Sequence, residues 1–239
     1  MREVDAAAVA DWFAERPGKL MHAHITQTGI GRCRVDRWPG PSTVLAELPG
    51  NIAARGEPRP VPDLVGFVQA APEWLPALRE VDPGTAVWDR VVAVLPDAVD
   101  VPAPAHPVRR LGPDDAAALA GLDPSIGWVC GTWGGPAGVA ASGMAWAAFD
   151  DDRPVSVACS FFVGSAQEDI GVVTDPHHRG RGLSTACAAA LVGEIRSRGR
   201  RPTWTTSPDN AASLAIAARL GFTRVREDVL YAVHTPIPT

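Results

Sequence analysis

Apolar positions along the chain fall mostly into short runs, and the clearest helical period lies in the C-terminal half. Leu183, Ala186, Cys187, Ala190, Leu191 and Ile195 follow the spacing i, i+3, i+4, i+7, i+8, i+12, which lines one face of a helix. Before it, VAASGMAWAAF and PVSVACSFFV read as strands joined by the hydrophilic turn 150–153. EDIGVVTDP reads as a third strand, stopped by Asp175-Pro176. After it, PTWTTS is strand-like. A further helix follows, with Ser207 as N-cap, Pro208 at its first position and Gly221 as its stop. VLYAVH closes the chain as a strand, and VRRLGPDDAAALAGL, upstream, predicts a short strand and a helix.

The N-terminal half shows a mixed pattern. DAAAVADWFAER predicts a helix ended by Pro17-Gly18. GRCRVDRW and STVLAEL predict strands, LVGFVQAAPEWLPALREV a helix, and RVVAVLP a strand. Pro96, Pro102, Pro104 and Pro107 then keep VLPDAVDVPAPAHPVRR extended. This proline segment sets a domain boundary near residue 105, with an α/β lobe at 1–105 and a second domain at 106–239.

One apolar run is long enough to raise the question of a membrane. Ile126 to Phe149 carries no charge over 24 residues, but it holds six glycines and Pro136. It reads as a Gly-rich loop, SIGWVCGTWGGPAG, leading into a strand, with no membrane association.

Composition narrows the class. The chain has 239 residues, 46% of them hydrophobic, enough for a core without disulfides or a structural metal. Its 22 basic and 27 acidic residues give a net charge of −5, which argues against a nucleic-acid binder. Every basic residue except Lys19 is an arginine. The four cysteines form no CxxC pair, and no Cys/His cluster has metal-ligand spacing, so no metal is expected. Free buried thiols, and acidic residues interrupting the N-terminal segment, suggest a cytoplasmic protein without a signal peptide.

The chemistry concentrates at HHRGRG, between a strand and a helix start. Gly180 and Gly182 permit backbone conformations other residues resist, and the first amides of a helix lack intrahelical acceptors, so an anion fits there. From His177 to Arg201 six arginines face one acid, Glu194, a local +5. A small anionic ligand accounts for this patch, and so does a surface turn with solvated arginines. The motif is neither a P-loop, since no GK[ST] follows, nor a GxGxxG fingerprint.

The whole run IGVVTDPHHRGRGLSTACAAALVGEI…PTWTTSPDNAASLAIAARLGF resembles the GNAT superfamily of acyl-CoA-dependent N-acyltransferases. The shared pattern is a [QR]xxGx[GA] loop between strand and helix, then a strand, an Asn-led helix (Asn210) and a closing Gly221-Phe222. The likeness covers roughly 107–235 and is densest over 168–222. It implies a mixed, mostly antiparallel sheet flanked by helices. The N-terminal α/β lobe is then open to reading as a degenerate copy of the same fold.

The resemblance also implies acetyl-CoA as co-substrate. The backbone of His178, Arg179, Gly180, Arg181, Gly182, Leu183 and Ser184 would hold its pyrophosphate. Val172 and Val173 would bond the pantetheine arm, and Asn210 would contact the arm or the acceptor. The arginines at 196–201 would meet the 3′-phosphate or simply be solvated. The first motif position is His177 in place of Gln or Arg. Ala217 stands where many relatives carry the tyrosine that protonates the leaving thiolate. The chain's single tyrosine, Tyr231, and Ser213 are weak candidates for that acid.

For the base, Glu168 and Asp169 are adjacent and point to opposite faces of the strand; the resemblance favours Glu168. Trp128, Trp133 and Trp146 would line an acceptor pocket or fill the core. The activity implied is N-acetyl transfer to a primary amine of a small molecule, peptide or protein, by a monomer or homodimer. The alternative is a catalytically degenerate CoA-binding regulatory or interaction module.

Overall fold

The computed structural model describes residues 1–238. The N-terminal strands are β1 (Arg2–Val4), β2 (Arg32–Val35), β3 (Thr43–Leu48), β4 (Asn51–Gly56), β5 (Gly66–Gln69) and β6 (Ala86–Val94). The C-terminal strands are β7 (Arg109–Arg110), β8 (Ala145–Asp150), β9 (Arg153–Val163), β10 (Gln167–Thr174), β11 (Arg201–Thr206) and β12 (Thr223–Val233). The α-helices are α1 (Met21–Thr28), α2 (Leu75–Val81), α3 (Ala116–Ala120), α4 (Pro136–Ser142), α5 (Leu183–Ser197) and α6 (Ala211–Arg219).

All twelve strands join one sheet in the order β1-β2-β3-β4-β5-β12-β6-β11-β10-β9-β8-β7. Among the described residues, only β4–β5 and β10–β11 pair in parallel. Helices α5 and α6 pack on one face of the C-terminal half, around Leu191, Ile195, Trp204 and Leu220. The segments 116–142 pack on the other face, around Val129, Trp133 and Val139.

The two halves repeat one order: antiparallel strands, a parallel strand, a helix, a last strand. The N-terminal copy is reduced, because 57–65, between β4 and β5, holds no helix where the C-terminal copy has α5. The last strands are also exchanged. β6 sits between β11 and β12, and β12 reaches past it to pair with β5. A boundary near 105 therefore divides the chain but not the sheet.

Several local expectations are corrected. LVGFVQAAPEWLPALREV splits into β5 and α2, because Pro72 starts a new helical segment and forces the residues before it to be extended. Residues 6–12 wind as a 3-10 helix with Asp5 capping Ala7 N–H at 2.7 Å. The Gly-rich loop is a 3-10 helix (Gly127–Trp133) followed by α4, so the strand begins only at Ala145. Gly135 (φ +116°) and Gly143 (φ +64°) bracket α4, with Pro136 at its first position. The proline segment is docked, not free. Arg196 donates to Val99 O at 2.6 Å and Pro96 O at 2.8 Å, and Val99, Val101 and Val108 pack against the α5–α6 core.

His24 of α1 pins the halves together. It is fully buried, its Nδ1 accepts from Val163 N–H at 3.1 Å, and its Nε2 lies 2.9 Å from Thr132 O. An acceptor at Nδ1 requires the proton on Nε2, so the ring is neutral. Burial lowers its pKa from 6.5, against the opposing hydrogen bond to Thr132. Replacing His24 with Ala strands two buried backbone groups and should cost about 3 kcal/mol. The contribution of the wild-type ring is present above 6.5 and lost as pH falls from there through its lower folded value. Denaturant melts of wild type and His24→Ala between neutral and mildly acidic pH check both: the gap should narrow on acidification.

Candidate functional site

Strands β10 and β11 stay paired for three residues only, Gln167↔Arg201, Glu168↔Pro202 and Asp169↔Thr203. At that point β9 carries an extra residue, Phe161, opposite the step from Asp169 to Ile170, and beyond this bulge β10 no longer pairs with β11. The result is a V-shaped opening with Gly171–Thr174 on one limb and Trp204–Thr206 on the other. Val172 and Val173 lie on the open limb, half-buried and buried, where a bound extended chain can pair with their backbone.

The N-terminus of α5 stands at the mouth of the V. Gly180 (φ +76°) and Gly182 (φ +78°) are left-handed, and Gly182 is the N-cap. The first helical bond runs from Ala186 N–H to Gly182 O at 3.1 Å, so the amides of 180–185 are left without acceptors among the described residues. Together with the helix dipole they form an anion cradle. A Cβ at Gly182 would come within 3.2 Å of His106 Nε2, which places the docked proline segment over this loop. His106 escaped the sequence reading because nothing local connects it to residue 182.

Other expected ligands are placed differently. His178 N–H donates to Asp175 O at 2.9 Å, and its ring nitrogens sit 3.2 Å from Asp175 and Asp150 carboxylates, so His178 fixes the turn and offers the anion nothing. His177 N–H is likewise held by Asp175 Oδ1 at 2.9 Å. The local +5 also disperses. Arg198 and Arg200 bind Glu168, Arg201 binds Asp97, and Arg196 holds the proline segment. These arginines lie in the last turn of a 15-residue helix or beyond it, about 20 Å from its start. Arg179 and Arg181 alone remain exposed beside the cradle. Removing both by Arg179→Ala/Arg181→Ala should weaken binding of the phosphate-bearing ligand that the resemblance implies, acetyl-CoA, about tenfold at low salt, with the loss shrinking as salt rises. Arg201→Ala should leave it unchanged; titration calorimetry measures both.

Asn210 caps α6, its Oδ1 accepting from Ser213 N–H at 3.0 Å, while Ser207 and Pro208 form the preceding turn. Ser213 Oγ accepts from Trp204 Nε1 at 2.9 Å. Ala217 is buried in the core beneath α6. Tyr231 does not reach the site. It is 2% exposed in the N-terminal core with Val68 and Trp74, and its register partner on β6, Val87, lies four residues beyond Val91, the partner of Thr206.

The adjacent carboxylates have opposite fates. Glu168 is fully buried on the α5 face, and both its oxygens are taken. Oε1 receives Arg198 Nε and Arg200 Nη1, each at 3.0 Å, and Oε2 receives Arg198 Nη2 at 2.7 Å and the Ser160 hydroxyl. Burial raises its pKa, but the bonds from Arg198 and Ser160 outweigh this and hold the carboxyl below its usual range. This corrects the expectation of Glu168 as the base, since no free oxygen remains to take a proton.

Asp169 points to the other face, at the apex of the V. The Thr203 and Thr205 hydroxyls converge on its Oδ1 at 2.7 and 3.1 Å, and no donor among the described residues reaches Oδ2. Burial raises its pKa against those two bonds and the charges of Arg90 and Arg226. Beside it Gly171 leaves room for the Phe161 ring, which meets Trp128 edge-on at 5.4 Å. Trp128 is 52% exposed. Trp133 instead donates to Ser160 O at 2.9 Å within the core, and Trp146 bonds Glu194 on the α5 face. Among the described residues no group of three or more His, Cys, Asp or Glu is placed to hold a metal, and no helix is long and apolar enough to cross a membrane.

Comparison with known proteins agrees with this geometry. The family model described as GNAT acetyltransferase matches residues 114–231. An uncharacterized N-acetyltransferase from the mutA 5′ region of Streptomyces virginiae is 38% identical over 198 residues, covering 78% of this chain and 84% of that protein. Among solved structures, a GCN5-related N-acetyltransferase-like protein from Streptococcus suis superposes with a TM-score of 0.73 at 20% identity, covering 95% of this chain and 97% of that one. A tandem GNAT protein from the clavulanic acid biosynthesis pathway superposes with a TM-score of 0.56 at 14% identity, covering 99% and 98%. With a splayed parallel pair, a glycine-built helix start at its mouth and a relative this similar over most of its length, the chain belongs to the GNAT acetyltransferase family.

Proposed function

We propose that the protein transfers an acetyl group from acetyl-CoA to a primary amine by direct attack within a ternary complex. The observation that carries this reading is the V between β10 and β11, with unpaired α5 amides at its mouth and a half-free buried carboxylate at its apex. The amides of 180–185, with Arg179 and Arg181, would hold the pyrophosphate. The open limb at Val172 and Val173 would bond the pantetheine arm, and Asn210 at the start of α6 would flank it.

Asp169 is the proposed base. An alkylammonium with a pKa near ~10 is mostly charged at neutral pH and must lose a proton before it can attack. Oδ2 of Asp169 faces the apex, and its raised pKa suits it to accept that proton. The amine nitrogen then bonds to the thioester carbonyl carbon, the carbon–sulfur bond breaks, the thiolate leaves with the electron pair, and the proton still to be lost from the nitrogen passes to that thiolate, giving the amide and free CoA. A thiol of pKa about 8.5 leaves without a dedicated acid, which fits Ala217 and the remote Tyr231. Holding both reactants in one opening supplies much of the acceleration.

The test is thiol release from acetyl-CoA over a broad amine panel, alongside thermal stabilisation by acetyl-CoA. Stabilisation with amine-dependent release supports the reading. Stabilisation without release would favour a CoA-binding module, and no stabilisation would remove both.

A further inference from the structure

The sheet face that carries Asp169 also carries a strip of cations. Thr203 lies beside Asp169, Thr205 beside Val92, Val92 opposite Arg226, and Arg90 opposite Asp228. Residues directly opposite, or two apart on one strand, share a face, so Asp169, Thr205, Arg90, Arg226 and Asp228 all point the same way. Arg55 enters from β4, donating to Gln69 O at 3.0 Å and Gln69 Oε1 at 3.2 Å. Gln69 Nε2 in turn donates to Gly18 O at 2.7 Å and so draws the Gly18-Lys19 segment over the strip.

The charges there do not balance. Lys19, Arg55, Arg90 and Arg226, with Arg16 close by, face three carboxylates, Asp169, Asp209 and Asp228, and Asp228 is already shared by Lys19 at 3.5 Å and Arg226 at 2.9 Å. Among the described residues, neither Arg55 nor Arg90 forms an ion pair with a carboxylate. Arg90 stacks over Trp88 at 4.0 Å and gives one bond to Thr205 O at 3.2 Å, while its buried Nε has no partner. Burial, with repulsion from Arg16, holds Lys19 and Arg55 below their usual values, and burial takes Arg90 to about 10. The strip is reachable, with Lys19 and Arg226 side chains 16% and 26% exposed. Uncompensated, partly desolvated cations are costly in a folded chain, and an anionic ligand removes that cost. Because Arg90 bonds the open limb of β11, such an anion would lie about one side chain from the base.

We propose that this strip is an anion subsite, and that the acceptor amine carries an acidic group, carboxylate or phosphate, held by Arg90 with Arg55 and Arg226. The inference rests on the acetyltransferase reading and deepens it. The test offers amines in matched sets, each as a carboxylate, a phosphate monoester and an uncharged amide or alcohol, and measures kcat/KM from thiol release. One acidic member of each set should exceed its neutral partner by at least about tenfold, and which one identifies the anion. Arg90→Gln and, separately, Arg226→Gln should shrink that preference through KM, with acetyl-CoA affinity unchanged and the protein still folding cooperatively.

Equal kcat/KM for acidic and neutral partners overturns the subsite while leaving the transferase reading intact, and so do variants that lose both activities equally. The N-acetylated products, titrated into the CoA-loaded protein, give a readout independent of turnover. Indistinguishable affinities for acid and amide overturn the subsite there as well. Failure of the protein to bind acetyl-CoA at all marks a failure of the transferase reading instead.

Discussion

Asp169→Asn should lower kcat by about a hundredfold or more while acetyl-CoA affinity stays within about twofold, the range expected for loss of a general base. Asn keeps an oxygen where Oδ1 stood, and both threonine hydroxyls already converge on that atom, so the apex keeps its shape. Only the proton-accepting function of Oδ2 is removed. Because the wild-type carboxyl sits above its usual value, turnover should fall as pH drops through the raised value and Asp169 becomes protonated. The variant's residual activity should lack that acid limb. A pH profile of kcat/KM for both proteins reads the difference. An unchanged profile would remove Asp169 as the base.

Glu168→Gln, one residue away, should act on stability instead of chemistry. Glu168 closes a bridge from β10 to Arg198 and Arg200, and Arg200 continues to Gln27 of α1 at 3.0 Å. Neutralising the one buried anion leaves two guanidinium groups without it, a loss of about 3 kcal/mol for a buried pair. The sign with pH follows from its lowered pKa. The wild-type contribution is full above the ordinary value of 4.5 and is lost as pH falls through the lower folded value. The variant should therefore show a smaller acid-induced loss. At temperatures where it remains folded, its turnover should match wild type. A large fall in kcat without a fall in melting temperature would restore Glu168 as a catalytic candidate.

These two neighbours show what was legible in the sequence. Strand alternation already sent them to opposite faces, and the glycines of HHRGRG with the helical period after them marked the cradle, because both signals are local. The choice between the carboxylates was not local. It depends on Arg198 and Arg200 folding back from the end of α5, and on Thr203 and Thr205 meeting Asp169 from the next strand. The same holds for the arginine cluster, whose members sit close in sequence but whose partners, Pro96, Asp97, Val99 and Glu168, lie far away in it.

The exchange of β6 and β12 was likewise invisible, since either strand reads equally well in either half. The helix at 136–142 was a different kind of miss. Pro136 and Gly143 are ordinary start and stop signals for a helix, and the density of glycine around them masked the pattern. Asn210 over Ser207 was a near miss of the same sort: each is a good cap, and the turn at Pro208 moves the helix start three residues on.

The measurement that bears most directly on direct acetyl transfer is isotope tracing. The protein is incubated with acetyl-CoA labelled in the acetyl group and an acidic amine, and the products are resolved by mass spectrometry. The label should appear on the amine nitrogen in step with free CoA, with none on the protein. Acetyl-CoA that binds but leaves every amine unlabelled, or label that collects on a protein side chain before the amine, would contradict the direct transfer proposed for this opening between β10 and β11.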